Sequence, residues 1–340
     1  MRDRRTALQD VLVALIDEGK DIVCVSVDSV SRFKKVKEKY PERVIECGIC
    51  EQSGMGICAG LALQGMVPVI SGYATFLTMR AFEQIRTDIC RWALNVKICG
   101  TDTGFSAQYA GFTHQALEDI GILSILDNLV VCEPCDYEDT VLLGRYLFET
   151  FHGPVYMRFG ARGGEVEFPI KHQEVKLGHF EPLTGEFRGA DVTFIALGQL
   201  VGVALEVAQE LEKKGYKTFV FNARFVKPLD NYMVACVARS SRLVVTLEEH
   251  AKRGGLGDNL LLAFQETGHI PPLLKLGAPS HFGFSGERGF LLRKSGLEVS
   301  PLVESIVKEM TALGELRSVS EKHVFDRGQK NYWERKKRAL

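Results

Sequence analysis

From about residue 5 to about residue 160, short apolar runs alternate with longer stretches whose apolar residues recur every three or four positions. RTALQDVLVALIDEG has the helical period and closes at Gly19, and DIVCVSV after it is a continuous apolar run of strand length. The apolar end of RVIEC leads into a Gly- and Ala-rich helix that closes at Gly65. VPVISGY reads as the next strand and FLTMRAFEQIRTDICRWAL as the next helix. NVKICGT, LVVCEP and GPVYMRF read as further strands, with helices predicted over THQALEDIGILSIL and DYEDTVLLGRYLFETF. Strands that are apolar throughout, rather than alternating, are buried on both faces. Joined by helices, they predict an α/β fold with a mainly parallel sheet covered on both sides.

The rhythm breaks over residues 166–190, where glycine, proline and charge mix and a linker is predicted. A second, shorter β-α series follows through DVTFIALG, QLVGVALEVAQELEKKG, KTFVFNA, DNYMVACVARSS, RLVVTLEE and GDNLLLAFQETG. Two consecutive three-layer α/β domains are therefore expected, over residues 1–165 and 191–315. The charged segment 316–340 reads as a surface or docking tail.

Charge changes this picture little. Lys plus Arg (42) nearly balance Asp plus Glu (43), which gives no basis for nucleic acid as a partner. No apolar run approaches the roughly 20 residues of a membrane span, and MRDRRTALQD lacks the apolar centre of a signal peptide. A cytoplasmic protein is expected. The nine cysteines are odd in number and scattered through apolar segments, which suits free thiols in a reducing compartment. Cys47/Cys50 and Cys132/Cys135 have C-x-x-C spacing, but about 80 residues separate the pairs, too far for a zinc ribbon, and no metal is expected on this chain.

Candidate chemistry gathers at predicted strand ends, where parallel sheets bind ligands. In ECGICEQSGMGICAGLALQG, Glu51 begins a helix with hardly another charge and with glycines at 54, 56 and 60. An interior glycine costs a helix about 1 kcal/mol relative to alanine, so close packing against this helix is expected. The polar loop TDTGFSAQYAGFTH ends at His114, and Phe76 and Phe82 follow a third strand. An acid, two aromatics and a histidine are thereby predicted to converge on one rim.

These segments, in order, resemble the transketolase family. RVIECGICEQSGMGICAGLALQG resembles its pyrimidine-binding domain, YATFLTMRAFEQIR its aromatic segment, GFTHQALEDI its Thr-His-Gln loop and GPVYMR its closing strand. EEHAKRGGLGDNL and FGFSGERGFLL resemble its C-terminal domain. The resemblance implies thiamine diphosphate as cofactor. Glu51 would hydrogen-bond N1′ of the pyrimidine and so turn the 4′-amino group into the base for the thiazolium C2 proton, work that suits a dry site and a raised pKa. It further implies Phe76, Met79, Phe82 and Asp28 around the cofactor, Met79 standing where an aromatic is frequent. His114, Thr101, Asp102, Arg5, and Arg158 or Arg162 would meet substrate.

The family's Gly-Asp-Gly motif for Mg²⁺ and diphosphate occurs nowhere in the sequence. The resemblance therefore implies the C-terminal subunit of a split transketolase, paired in an α2β2 assembly with an N-terminal subunit that carries the Mg²⁺ site. Such a pair would transfer a two-carbon ketol unit from a ketose or its phosphate to an aldose. Two departures from the family pattern bear on substrate: Thr101-Asp102 replaces Thr-His, and Ala110 stands where an aspartate recognises a donor hydroxyl. The β subunit of a 2-oxoacid dehydrogenase and a non-catalytic scaffold subunit are the alternative readings.

Overall fold

The computed structural model describes residues 3–160, 172–279 and 284–314. Its first sheet is laid down by β1 (Ile22–Ser26), β2 (Val44–Glu46), β3 (Val67–Tyr73), β4 (Lys97–Thr101), β5 (Val130–Cys132) and β6 (Val155–Phe159). All of these pairings are parallel, as the mostly apolar strands predict. The second sheet contains β7 (Glu181–Pro182), β8 (Ala190–Ala196) and β9 (Thr218–Asn222). After β10 (Phe225–Lys227), which leaves this sheet, the chain returns to it with β11 (Ser241–Ala251) and β12 (Leu273–Ala278). The strand orders are β10-β5-β6-β4-β3-β1-β2 and β12-β11-β8-β9-β7.

Register aligns the carboxyl ends of the central strands. Ser26 lies opposite Glu46 and Ser71, and Tyr73 lies opposite Thr101, which in turn lies opposite Phe159. One edge of the first sheet thus presents the ends of several strands together. The Glu51–Leu63 helix packs on this sheet through Gly54, where an added Cβ would come within 3.0 Å of Ile70 and Val27. Among the described residues, Gly56 and Gly60 have nothing within 4 Å of such a Cβ, and of the three only Gly54 answers to close packing.

Two expected helices are shortened. THQALEDIGILSIL is helical only over Asp119–Leu123; Gln115, before it, donates to the Phe284 carbonyl, and Asp119, its first residue, accepts from Arg158. The helix after β3 runs Ala74–Arg80, breaks at Ala81 and resumes in short turns from Phe82–Gln84. The predicted linker is also more than a connection where it is described. His172 is buried against Asp136 and Glu181, and β7 pairs antiparallel with β9. Its signal is missing from the apolar pattern because the buried groups are polar.

The two sheets do not stand apart. β10 leaves the second series and pairs antiparallel with β5, capping the first sheet. Beneath this junction Arg158 donates to Asp119 at 2.7 and 3.0 Å and pairs with Glu133, which also lies 3.5 Å from Arg4. Segments 316–340 and 161–171, with the expected tail and Arg162, lie outside the described residues. Among the described residues no helix is long and apolar enough to cross a membrane.

Candidate active site

Glu51 is the first residue of its helix, where the exposed N–H groups favour a carboxylate, and only 5% of it is exposed. Its side-chain ion partner is the half-exposed Arg80, whose Nη1 lies 3.3 and 3.4 Å from the two carboxylate oxygens. The Arg80 guanidinium in turn sits 4.0 Å from the centroid of Phe76. The spacing of Tyr73, Phe76 and Arg80 places all three on one side of the turn and helix that leave β3.

His114 meets this group from the loop after β4. Its ring is edge-on to Phe76 at 5.0 Å and to Tyr73 at 5.3 Å between centroids. Thr75 donates to the His114 carbonyl at 3.1 Å, and Thr113 Oγ1 lies 2.9 Å from His114 Nδ1. The ring is therefore fixed through both its backbone and one nitrogen. Glu51, Phe76 and His114, expected to converge, belong to one continuous chain of contacts through Arg80.

Beyond Tyr73 the chain of contacts turns ionic. Arg32 lies 4.8 Å over the Tyr73 ring, donates to Thr101 Oγ1 at 3.1 Å and stands 3.6 Å from Asp28. Arg5, in the first turn of the Arg4–Asp17 helix, is 2.7 Å from Asp102 and donates to the Gly160 carbonyl at 3.0 Å. Burial pulls the Arg32 pKa down, opposed first by Asp102 and then by Asp28. Asp28 and Asp102 both have left-handed backbones, at φ 71° and 58°. Aspartate tolerates that region better than most residues.

Other expected residues fall elsewhere. Arg158 is wholly buried, with its donors directed to Asp119, Glu133 and the Glu249 carbonyl. Phe82 follows the break at Ala81 and is half-buried, with one side packed against the core. Thr101 is buried, and its hydroxyl accepts from Arg32 and donates to the Gly72 carbonyl. Met79, one residue before Arg80, is 42% exposed, and Ala110 is exposed in the turn before Gly111. Arg162 lies outside the described residues. Sequence reasoning missed Tyr73, Arg80 and Arg32. The first two had a legible signal in the three- and four-residue spacing of YATFLTMR; Arg32 had none, since its role depends on a contact across the sheet.

This arrangement fits the pyrimidine half of thiamine diphosphate. A nearly buried carboxylate is held by one long, half-exposed arginine contact, and an aromatic face stands beside it. Such a carboxylate can accept a hydrogen bond from a protonated ring nitrogen. Among the described residues, two groups have metal-ligating side chains within reach of one another: Cys135, Asp136 and His172, and Asp139, His172 and Glu181. Arg224 already occupies Asp139 and Glu181, at 2.5 and 2.8 Å, so this cluster is internally paired.

Residues 1–162 match the family model described as transketolase, pyrimidine binding domain, and residues 186–300 that of the transketolase, C-terminal domain. A Methanocaldococcus jannaschii protein named as a transketolase C-terminal section is 31% identical over 90% of this chain and 96% of its own length. The 1-deoxy-D-xylulose-5-phosphate synthase of Bacillus velezensis is 34% identical over 81% of this chain, which spans only 43% of that protein. A solved structure described as split gene transketolase, inactive beta4 tetramer, is 34% identical, has a TM-score of 0.79, and covers 91% of this chain and 98% of its own. The transketolase of Campylobacter jejuni, 19% identical with a TM-score of 0.71, shares the fold over 90% of this chain and 46% of its own.

Proposed function

The chain belongs to the transketolase family, and from that premise we propose that it is the C-terminal subunit of a split, thiamine diphosphate-dependent transketolase. The reaction is transfer of a two-carbon ketol unit from a ketose to an aldose. The observation that carries this reading is the nearly buried Glu51 at a helix start, linked through Arg80 to Phe76 and His114. Bound thiamine diphosphate supplies a nucleophilic carbon at C2 of its thiazolium ring. Glu51 would hydrogen-bond N1′ of the pyrimidine and hold or yield a proton there, and Phe76, Met79 and Asp28 are the side chains that would hold the ring. His114, oriented by Thr75 and Thr113, contacts substrate oxygens.

The diphosphate and its Mg²⁺ fall to an N-terminal partner subunit, because the Gly-Asp-Gly motif is lacking here. An α2β2 complex in the cytoplasm is the assembly in which both halves of each site meet. The inactive tetramer named for the split relative supports the need for a partner. A second reading, a synthase of the 1-deoxy-D-xylulose-5-phosphate kind, is favoured by the identity to such enzymes, of whose length this chain covers 43% in the Bacillus velezensis case. Product analysis separates them, since a 1-deoxy sugar carries a methyl carbon where ketol transfer leaves a hydroxymethyl group.

The decisive experiment is Glu51→Gln in the complex assembled with the N-terminal partner. The amide keeps the size of the side chain but cannot share a proton, so turnover should fall by about 10²–10⁴-fold, the usual contribution of positioned acid–base groups. Turnover close to that of the wild type would remove Glu51 from the chemistry.

A further inference from the structure

Arg5, Arg32, Asp28 and Asp102 form a charge-balanced quartet at the carboxyl ends of β1 and β4. Arg5 stands 2.7 Å from Asp102 and Arg32 stands 3.6 Å from Asp28. The quartet is joined to the candidate active site through Tyr73, which touches both Arg32 and His114. Arg80, the remaining arginine of the chain of contacts, is itself paired with Glu51. Every arginine in this part of the rim therefore already faces a carboxylate, among the described residues.

We infer that this end of the site receives an uncharged, hydroxyl-bearing end of the substrate sugar, and that Asp102 is the residue that sets this preference against a phosphate. The inference rests on the proposed ketol transfer and names the substrate class for it.

A phosphate binds well where cationic donors converge without a competing anion. Here Asp102 already takes the Nη2 edge of Arg5, and Nη2 also donates to the Gly160 carbonyl. The Nε and Nη1 atoms of Arg5 are buried and hold no hydrogen bond among the described residues, so a ligand would meet the guanidinium at the edge Asp102 occupies. Arg32 offers no substitute: it is buried, and its nitrogens go to Thr101, to the carbonyls of Val27 and Ser29, and to Asp28. A phosphate dianion here would have to displace Asp102 and then remain beside two carboxylates, an arrangement that selects against it. A sugar hydroxyl meets no such conflict, because it can donate to Asp102 and accept from Arg5 in turn. Asp102 is thus a specificity-determining residue, acting by excluding one kind of ligand as much as by binding another.

The test compares erythrose with erythrose 4-phosphate as acceptors in the complex with the N-terminal partner. Wild type should show a kcat/KM for erythrose at least about tenfold above that for the phosphate. Asp102→Asn should raise the phosphate's relative kcat/KM by about tenfold or more. Asparagine also tolerates the left-handed backbone at this position, so the fold is retained. In parallel, calorimetry with inorganic phosphate on the full chain should detect tighter binding by Asp102→Asn than by wild type. If wild type takes erythrose 4-phosphate as well as erythrose, the inference is overturned while ketol transfer stands. If neither acceptor reacts, the proposed reaction fails and calorimetry still decides, because equal phosphate binding by both proteins overturns the role of Asp102.

Discussion

Arginine–carboxylate pairs are the main polar device in two regions, the rim around Glu51 and the junction beneath β10, yet the two regions use them differently. On the rim, Arg80 is half exposed over Glu51, and Arg5 and Asp102 keep partial access to solvent. At the junction, Arg158 and Asp119 have no exposed surface at all. Burial would raise the Asp119 pKa, but the Arg158 guanidinium holds its carboxyl below the ordinary range; Glu133, with the same arginine beside it, is pushed up by burial all the same. Each rim pair keeps at least one edge in reach of water, which can take the place of one partner, so its geometry is freer to serve a ligand. A buried pair has no replacement, so it serves to hold the chain segments that meet there.

The largest expected effect tests the junction. Arg158→Met leaves Asp119 and Glu133 buried without their shared cation and should cost about 3–5 kcal/mol, the usual penalty for orphaning one side of a buried pair. Urea unfolding of the full chain would register it as a large fall in midpoint, and an unchanged midpoint would mean that the junction relaxes to admit water.

A smaller effect comes from His172. Burial works against its charged form, but hydrogen bonds to Asp136 and Glu181 outweigh that and push its pKa up to about 10. Because the folded value lies above the unfolded one, its stabilisation is complete below pH about 6.5 and is lost as pH rises towards about 10. Wild-type unfolding midpoints should fall across that window, by the equivalent of about 1–3 kcal/mol for a charge-assisted hydrogen bond. In His172→Gln the slope over the same range should flatten, and a persisting slope would assign it to another group.

The smallest expected change sharpens the contrast from the rim side. Arg80→Met should cost less than Arg158→Met, about 1 kcal/mol for the lost hydrogen bond, because Arg80 is half exposed and water can reach the edge of Glu51 that it leaves. A thermal shift comparable to that of Arg158→Met would show that the rim is as tightly built as the junction.

Much of the fold was legible in the chain. The mostly apolar strands β1, β3, β4, β6, β8 and β9 follow from runs such as DIVCVSV, VPVISGY and KTFVFNA, because burial on both faces leaves no regular polar alternation. β10 was not legible, since FVK pairs with β5 of the other sheet and its partner lies far away in sequence. Glu51 and His114 stood out as unusual residues beside glycine-rich segments. The fate of Arg158 and Phe82 did not, because an arginine at a strand end or an aromatic in a helix has the same letter whether it faces ligand or core.

The sequence by itself determined the two α/β series, the parallel sheet and the placement of Glu51 at a helix start, since periodicity and helix-end chemistry act over a few neighbouring residues. Only the tertiary structure decided which arginine pairs with which carboxylate and whether water reaches the pair. Arg5 meets Asp102 and Arg158 meets Asp119 across long stretches of chain. The strength of each such pair depends on a burial that exists only once both sheets have closed around it.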